Sequence, residues 1–185
     1  MKSITKIEVA VVIAMTLFLT VSVRGQRQME KLGRGMVAIN QGGGKVYVGW
    51  RLLGTDPDDI AFNLYRSSDG LEAVKLNEQP MTQSTNYVDD GVDLSRSNSW
   101  FVRPILNGQE QAASAPTEAW NQNYLSIGLQ TPEGYRPNDA SVGDLDGDGE
   151  YDIILHQTGR SADNARAGKK DEPILEACKM NGRLL

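Results

Sequence analysis

An unusual run of acidic residues gives the first indication of chemistry in this chain. Asp144, Asp146 and Asp148 stand at positions 1, 3 and 5 of a short segment, Gly149 follows at position 6, and Asp152 stands at position 9. Calcium takes six to eight oxygen ligands at about 2.3 to 2.6 Å, and alternating carboxylates around a glycine-permitted bend can supply several of them. The spacing therefore predicts a calcium-binding loop at residues 144–152.

The loop departs from the helix-flanked calcium motif. That motif requires a bidentate glutamate at position 12, where this chain has Leu155 within a strand-like run. We expect the backbone carbonyl of Glu150 and the carboxylate of Asp152 to complete the ligands. A solvated acidic turn and a magnesium site are the alternatives. The repulsion between so many close carboxylates disfavours the first, and the octahedral, water-rich shell of magnesium disfavours the second.

Other residues that could do chemistry are few. His156 is the only histidine, and it follows the acidic loop at the end of a predicted strand, where a structural role is the simpler expectation. Cys178 is the only cysteine, so no intramolecular disulfide can form, and its apolar neighbours favour a buried hydrophobic role. A polar stretch carries basic residues that could meet an acidic sugar, although a solvated loop is the simpler interpretation: Arg160, Arg166, Lys169 and Lys170.

The residues from Met36 to Trp120 predict a small all-β domain. Apolar side chains alternate along short runs that turn residues separate, and no stretch keeps a helical period for three turns. The predicted strands comprise residues 46–52, 60–64, 74–76, 87–88 and 99–106. This pattern is typical of an immunoglobulin-like or fibronectin-like sandwich.

A second segment follows the small, proline-containing stretch at residues 112–117, which predicts a domain boundary. We assign residues 26–120 to the sandwich and 121–185 to the second segment. Its predicted strands are 124–129, 151–156 and 174–179, and Asn181-Gly182 predicts a hairpin onto Arg183 to Leu185. Because the last strand stops at the end of the chain, we expect this segment to be incomplete.

Composition and the first residues restrict the classes of function. Residues 1–25 combine early lysines with an apolar run, which predicts a secretory signal peptide, and hence a secreted or periplasmic protein without a membrane anchor after cleavage. The formal net charge of −5, without a basic run, argues against binding of nucleic acid.

The sequence from Arg136 to Asp152, RPNDASVGDLDGDGEYD, followed by DEPILEA at 171–177, resembles the rhamnogalacturonan lyases of polysaccharide lyase family 11. Residues 29–35 and 48–51 also resemble the start of that family. The acidic loop is similar, too, to the calcium loops of β-propeller repeats in integrin α chains. Cys178 departs from the family, since it stands where an aromatic residue is expected.

The resemblance implies a sandwich-like domain followed by the first blade of a calcium-rich β-propeller, truncated here. It implies that the parent protein cleaves the pectic polysaccharide rhamnogalacturonan I by β-elimination, that Asn138 contacts this polysaccharide, and that the fragment alone is inactive. It does not assign a catalytic base, and Asn138 could instead serve a local turn. The alternatives are a non-catalytic, calcium-stabilised carbohydrate-binding or adhesion module and an inactive relic.

Overall fold

The computed structural model describes residues 30–160, 168 and 170–185. The predicted signal peptide lies outside these residues, as do Met29, Arg166 and Lys169. Among the described residues no helix is long and apolar enough to cross a membrane. The regular elements of this part of the chain are β-strands, which confirms the all-β prediction. They are β1 (Val37–Gly42), β2 (Lys45–Gly49), β3 (Ala61–Ser68), β4 (Val74–Lys75), β5 (Asn86–Asp90), β6 (Asn98–Leu106), β7 (Gln109–Glu110), β8 (Thr117–Trp120), β9 (Arg136–Gly143), β10 (Asp152–Thr158) and β11 (Ile174–Lys179).

The first eight strands form one sheet, which we call the curled sheet. Its strand order is β4-β3-β6-β8-β1-β2-β5, and the short β7, which is not part of this order, pairs with β6. Neighbouring strands are antiparallel except β1 and β8, which pair in parallel. Strand β8 also pairs with β6, so it joins the β1-β2-β5 half to the β3-β6 half.

The two halves of the curled sheet face each other across a hydrophobic core. Trp50 follows β2 and meets Phe62 of β3 edge to face, with the ring centroids 5.5 Å apart. Both side chains are buried, as is Leu64 on the same face of β3. The alternation of β2 and β3 predicts these positions correctly. The prediction fails at Leu52, which is 62% exposed because β2 ends at Gly49.

The last three strands form a separate antiparallel sheet in the order β11-β10-β9. The hairpin predicted at Asn181-Gly182 is present: the Lys179 N–H donates to the Arg183 carbonyl at 2.8 Å, and Cys178 forms a bridge with Leu184. Gly182 supplies the left-handed backbone of this turn, with φ of 82°. Cys178 is buried, as its apolar neighbours predicted.

One of the strands predicted for the second segment was wrong. We predicted a strand at Tyr124 to Leu129, but these residues form no regular element, and residues 127–130 instead lie near the apolar face of β10 and β11. Alternation of apolar residues in this segment is therefore not accompanied by strand pairing, and Leu125 and Leu129 remain 37% and 49% exposed. The true strand, β9, has mostly polar or small residues that are exposed except at Gly143, so it lacks the apolar alternation by which a half-buried strand is recognised.

Candidate metal centre

The acidic loop, residues 144–152, connects two antiparallel strands. β9 ends at Gly143 and β10 begins at Asp152, and these two residues are paired across the sheet. Gly147 and Gly149 have φ values of 77° and 88°, in the left-handed region that glycine tolerates best. The two glycines therefore let the loop turn sharply within the space between two neighbouring strands.

Carboxylates hold the loop together by accepting hydrogen bonds from its own backbone. The two oxygens of Asp144 accept from the Gly147 and Gly149 N–H groups at 2.7 and 2.9 Å. Oδ2 of Asp152 accepts from the Leu145 N–H at 2.9 Å. These bonds use backbone donors that would otherwise need water, and they fix both ends of the loop around a common centre.

Three of the predicted ligands come close enough to share an ion. Asp144, Asp146 and Asp152 each offer a carboxylate oxygen, and these oxygens lie within 4.8 Å of one another. Two oxygens that bind calcium at about 2.3 to 2.6 Å can be at most about 5 Å apart, so the spacing fits calcium. Asp152 is fully buried, and its Oδ1 has no hydrogen-bond partner among the described residues. The ammonium of Lys179, 3.2 Å away, is the counter-charge of this buried oxygen in the structure, and a bound cation would serve the same purpose.

Lys179 lies beside the same carboxylates, which the sequence did not predict. Its Nζ is 2.7 Å from Asp146 Oδ1, 2.7 Å from Asp148 Oδ2 and 3.2 Å from Asp152 Oδ1, the last without hydrogen-bond alignment. The carboxylates of Asp146 and Asp148 raise the pKa of Lys179 above its ordinary value. The hydrogen bond from Lys179, with a second from the Glu150 N–H, lowers the pKa of Asp148. The lysine is therefore a fixed positive charge at the loop.

The acidic loop also contacts the N-terminal segment, residues 30–36. The Gly33 N–H donates to the Gly149 carbonyl at 2.6 Å, and a Cβ added to Gly149 would lie 3.0 Å from the Gly33 nitrogen. The side chain of Glu150 points to Arg51, with Nη2 and Oε2 3.6 Å apart, and the Arg51 guanidinium lies 4.4 Å from the centre of the Tyr151 ring. These contacts join the loop to the residues that enter and leave the first hairpin of the curled sheet.

The predicted substrate residue, Asn138, lies on β9 at an irregularity of the sheet. Leu155 pairs with Ala140 and Gln157 with Pro137, so β9 has one more residue than β10 across this interval. Such a bulge redirects side chains and is common beside functional sites. It brings Asn138 Nδ2 within 3.5 Å of His156 Nδ1 and 3.1 Å of Asp139 Oδ2. Asn138 is exposed, so its amide is accessible to a ligand.

The basic stretch after β10 does not form a cluster in the described residues. Arg160 pairs with Asp171, with Nη2 and Oδ1 3.0 Å apart, and hydrogen bonds from Arg160 lower the pKa of Asp171. This pair closes the base of the segment that connects β10 to β11. Of the other predicted basic residues, only Lys170 lies among the described ones.

Comparison with family models identifies the chain. The model of the rhamnogalacturonan I lyases beta-sheet domain matches residues 27–120. The model of the C-terminal domain of rhamnogalacturonan lyase family 11 matches residues 116–185. The chain belongs to rhamnogalacturonan lyase family 11. The resemblance that the motifs at both ends indicated is therefore confirmed.

Individual relatives of this family 11 chain are lyases of bacilli. It is 41% identical over 170 residues to the rhamnogalacturonan endolyase YesW of Bacillus subtilis, covering 86% of this chain and 26% of the relative. It is 37% identical over 171 residues to the exolyase YesX of the same organism, covering 86% of this chain and 27% of the relative. A solved family 11 lyase of Bacillus licheniformis shares 46% identity with a TM-score of 0.74, covering 85% of this chain and 28% of that structure. The chain thus spans about a quarter of the length of these relatives.

Proposed function

We propose that this chain is the amino-terminal part of a secreted, calcium-dependent lyase that cleaves rhamnogalacturonan I by β-elimination. One observation carries the proposal: the two family models together extend from residue 27 to residue 185, with 41% identity to an endolyase. The two Bacillus subtilis relatives are a rhamnogalacturonan endolyase and a rhamnogalacturonan exolyase. The predicted signal peptide at residues 1–25 supports the secreted location.

In this proposal the curled sheet is the sandwich-like domain of the lyase and the three-stranded sheet begins its propeller. Propeller blades are four-stranded antiparallel sheets. The sequential pairing β9-β10-β11 and the bridge from Cys178 to Leu184 agree with the start of such a blade.

We assign calcium to the acidic loop, where it has a structural role. The carboxylates of Asp144, Asp146, Asp148 and Asp152 and the carbonyl of Glu150 would hold it. When bound, calcium supplies positive charge that relieves the repulsion between these carboxylates. Because the protein would provide the ligands, little room remains for a sugar. The loop instead fixes the end of β9, the strand that carries Asn138.

Asn138 is the residue of this chain that we place against the polysaccharide. β-Elimination on a galacturonate removes the proton at C5 and breaks the bond to the oxygen at C4, while negative charge spreads into the adjacent carboxylate. An exposed amide can donate to a sugar hydroxyl or carboxylate and accept from a hydroxyl. The bulge and the contact with His156 would hold that amide in one orientation.

A chimeric enzyme tests the proposal. Residues 30–185 replace the matching part of the Bacillus subtilis endolyase, and the ultraviolet absorbance of the unsaturated uronate product is followed with rhamnogalacturonan I. We expect product from the chimera and none from the chain alone, which spans 26% of that endolyase. A folded chimera that binds the polysaccharide without cleaving it would instead support a non-catalytic binding module. Product from the chain alone would refute its predicted inactivity.

A further inference from the structure

The position of Lys179 beside the acidic loop is fixed by the pairing of β10 with β11. Lys179 is paired with Asp152 across these strands, and Asp152 is the last acidic residue of the loop. The lysine side chain is 12% exposed, whereas those of Asp146 and Asp148 are 40% and 48% exposed. The ammonium group therefore approaches the carboxylates from the protein side, with little contact with water.

We propose that Lys179 is a built-in cation of the acidic loop, which keeps the loop folded without a metal and weakens its affinity for calcium. The inference rests on the calcium loop of the proposed function. Both effects follow from a single positive charge that forms ion pairs with three carboxylates.

The first effect follows from the charges of the loop. Carboxylates gathered in a small volume repel one another, and the repulsion grows where one of them, Asp152, is fully buried. Lys179 offsets this repulsion by direct contact with Asp146 and Asp148. Without the lysine, and in the presence of a chelator, the loop would lose the ammonium group that contacts Asp146, Asp148 and Asp152 while their mutual repulsion remained. We therefore expect the loop of a Lys179 variant to need calcium for its stability.

The second effect follows from the oxygens that the two cations share. An oxygen 2.7 Å from Nζ that also binds calcium at about 2.4 Å places the two positive charges within about 5 Å of each other. The resulting repulsion opposes calcium, whether Lys179 stays in place or swings away at the cost of its ion pairs. Removal of the lysine charge should therefore strengthen calcium binding by about tenfold or more.

Calorimetric titration with calcium and thermal unfolding in a chelator test the inference on the full chain. For Lys179→Met we expect about tenfold or tighter binding. In the chelator we also expect the thermal midpoint of this variant to lie about 5 °C below the wild-type value, and addition of calcium should remove the difference. Lys45→Met is the matched control, since it removes an exposed lysine whose partner Asp90 is also exposed, 3.8 Å away. The control should behave like the wild type in both measurements.

Equal or weaker calcium binding by a folded Lys179→Met would overturn the inference, and so would an unchanged midpoint in the chelator. A variant that folds only with calcium would support it. If Lys179→Met folds in neither condition, Lys179→Gln, which keeps a hydrogen-bond donor without the charge, is judged by the same criteria. Absence of binding by both the wild type and the variant refutes the calcium loop as well, whereas equal binding refutes only the role of Lys179.

Discussion

The ion pair between Arg34 and Asp56 anchors the N-terminal segment that contacts the acidic loop. Nη1 and Nη2 of Arg34 donate to the two oxygens of Asp56 at 2.5 and 2.8 Å, and the side chains are 12% and 8% exposed. Asp56 Oδ2 also accepts from the Leu53 N–H at 2.7 Å. Asp56→Ala would therefore leave a nearly buried guanidinium and a backbone donor without their acceptor.

The expected cost follows from these contacts. Removal of one partner from a buried ion pair costs about 3 to 5 kcal/mol. Arg34 keeps a contact with the Phe62 ring, 5.1 Å from its centroid, so we expect the lower end, about 3 kcal/mol. For a chain of this size that corresponds to a fall of about 6 to 12 °C in the thermal midpoint. The control is Asp58→Ala, which removes an exposed carboxylate two residues away and should cost less than about 0.5 kcal/mol.

The ion pair between Arg34 and Asp56 also predicts the direction in which stability changes with pH. Burial raises the pKa of Asp56, but the hydrogen bonds from Arg34 and Leu53 outweigh it, so the pKa in the folded protein is lowered. The ion pair therefore stabilises the fold fully at pH values above the ordinary carboxylate pKa of about 3.9. This stabilisation is lost as the pH falls through the lower pKa that Asp56 has in the folded protein. Thermal unfolding of the wild type and Asp56→Ala should converge in acid. A loss of less than about 1 kcal/mol at neutral pH would refute the reasoning.

Three further experiments test other parts of the structure. Gly149→Ala should lower the stability by about 2 kcal/mol in thermal unfolding, because φ is 88° and the added Cβ would meet the Gly33 nitrogen at 3.0 Å. The control, Gly147→Ala, is also at a left-handed position but has open space around it, so it should cost about 1 kcal/mol. Asn138→Ala should slow product formation by the chimera at least about tenfold with an unchanged thermal midpoint, since the side chain is exposed; an unchanged rate would remove it from the groove. Limited proteolysis read by mass spectrometry should cleave residues 121–185 before 36–120, and sooner in a chelator, and equal protection of both ranges would contradict this.

Local patterns predicted the elements that depend on neighbouring residues. Phe62 and Leu64 stand two positions apart in β3, so they share one face of the strand, and both lie in the core. The acidic loop was recognisable for a similar reason, since its carboxylates lie within nine residues of one another and their spacing reflects the size of the ion. The hairpin at Asn181-Gly182 followed from the left-handed turn that glycine permits.

Features that depend on pairing between distant residues were not predictable in this way. The exposed, polar β9 is a strand because β10 pairs with it, and nothing in its own alternation indicates this. Lys179 reaches the acidic loop because of the register between β10 and β11, which places it opposite Asp152. The contact of Gly33 with Gly149 joins residues far apart in the sequence. The first two features follow from sheet geometry, and the third is a contact between two segments outside the strands.

Isothermal titration calorimetry with calcium tests the acidic loop most directly. We predict a single binding event for the wild-type chain and none for Asp146→Ala, because Asp146 supplies one of the clustered oxygens. Asp58→Ala, which removes an exposed carboxylate outside the loop, should keep the wild-type heat. Equal heats from the wild type and Asp146→Ala would contradict the assignment of calcium to this loop.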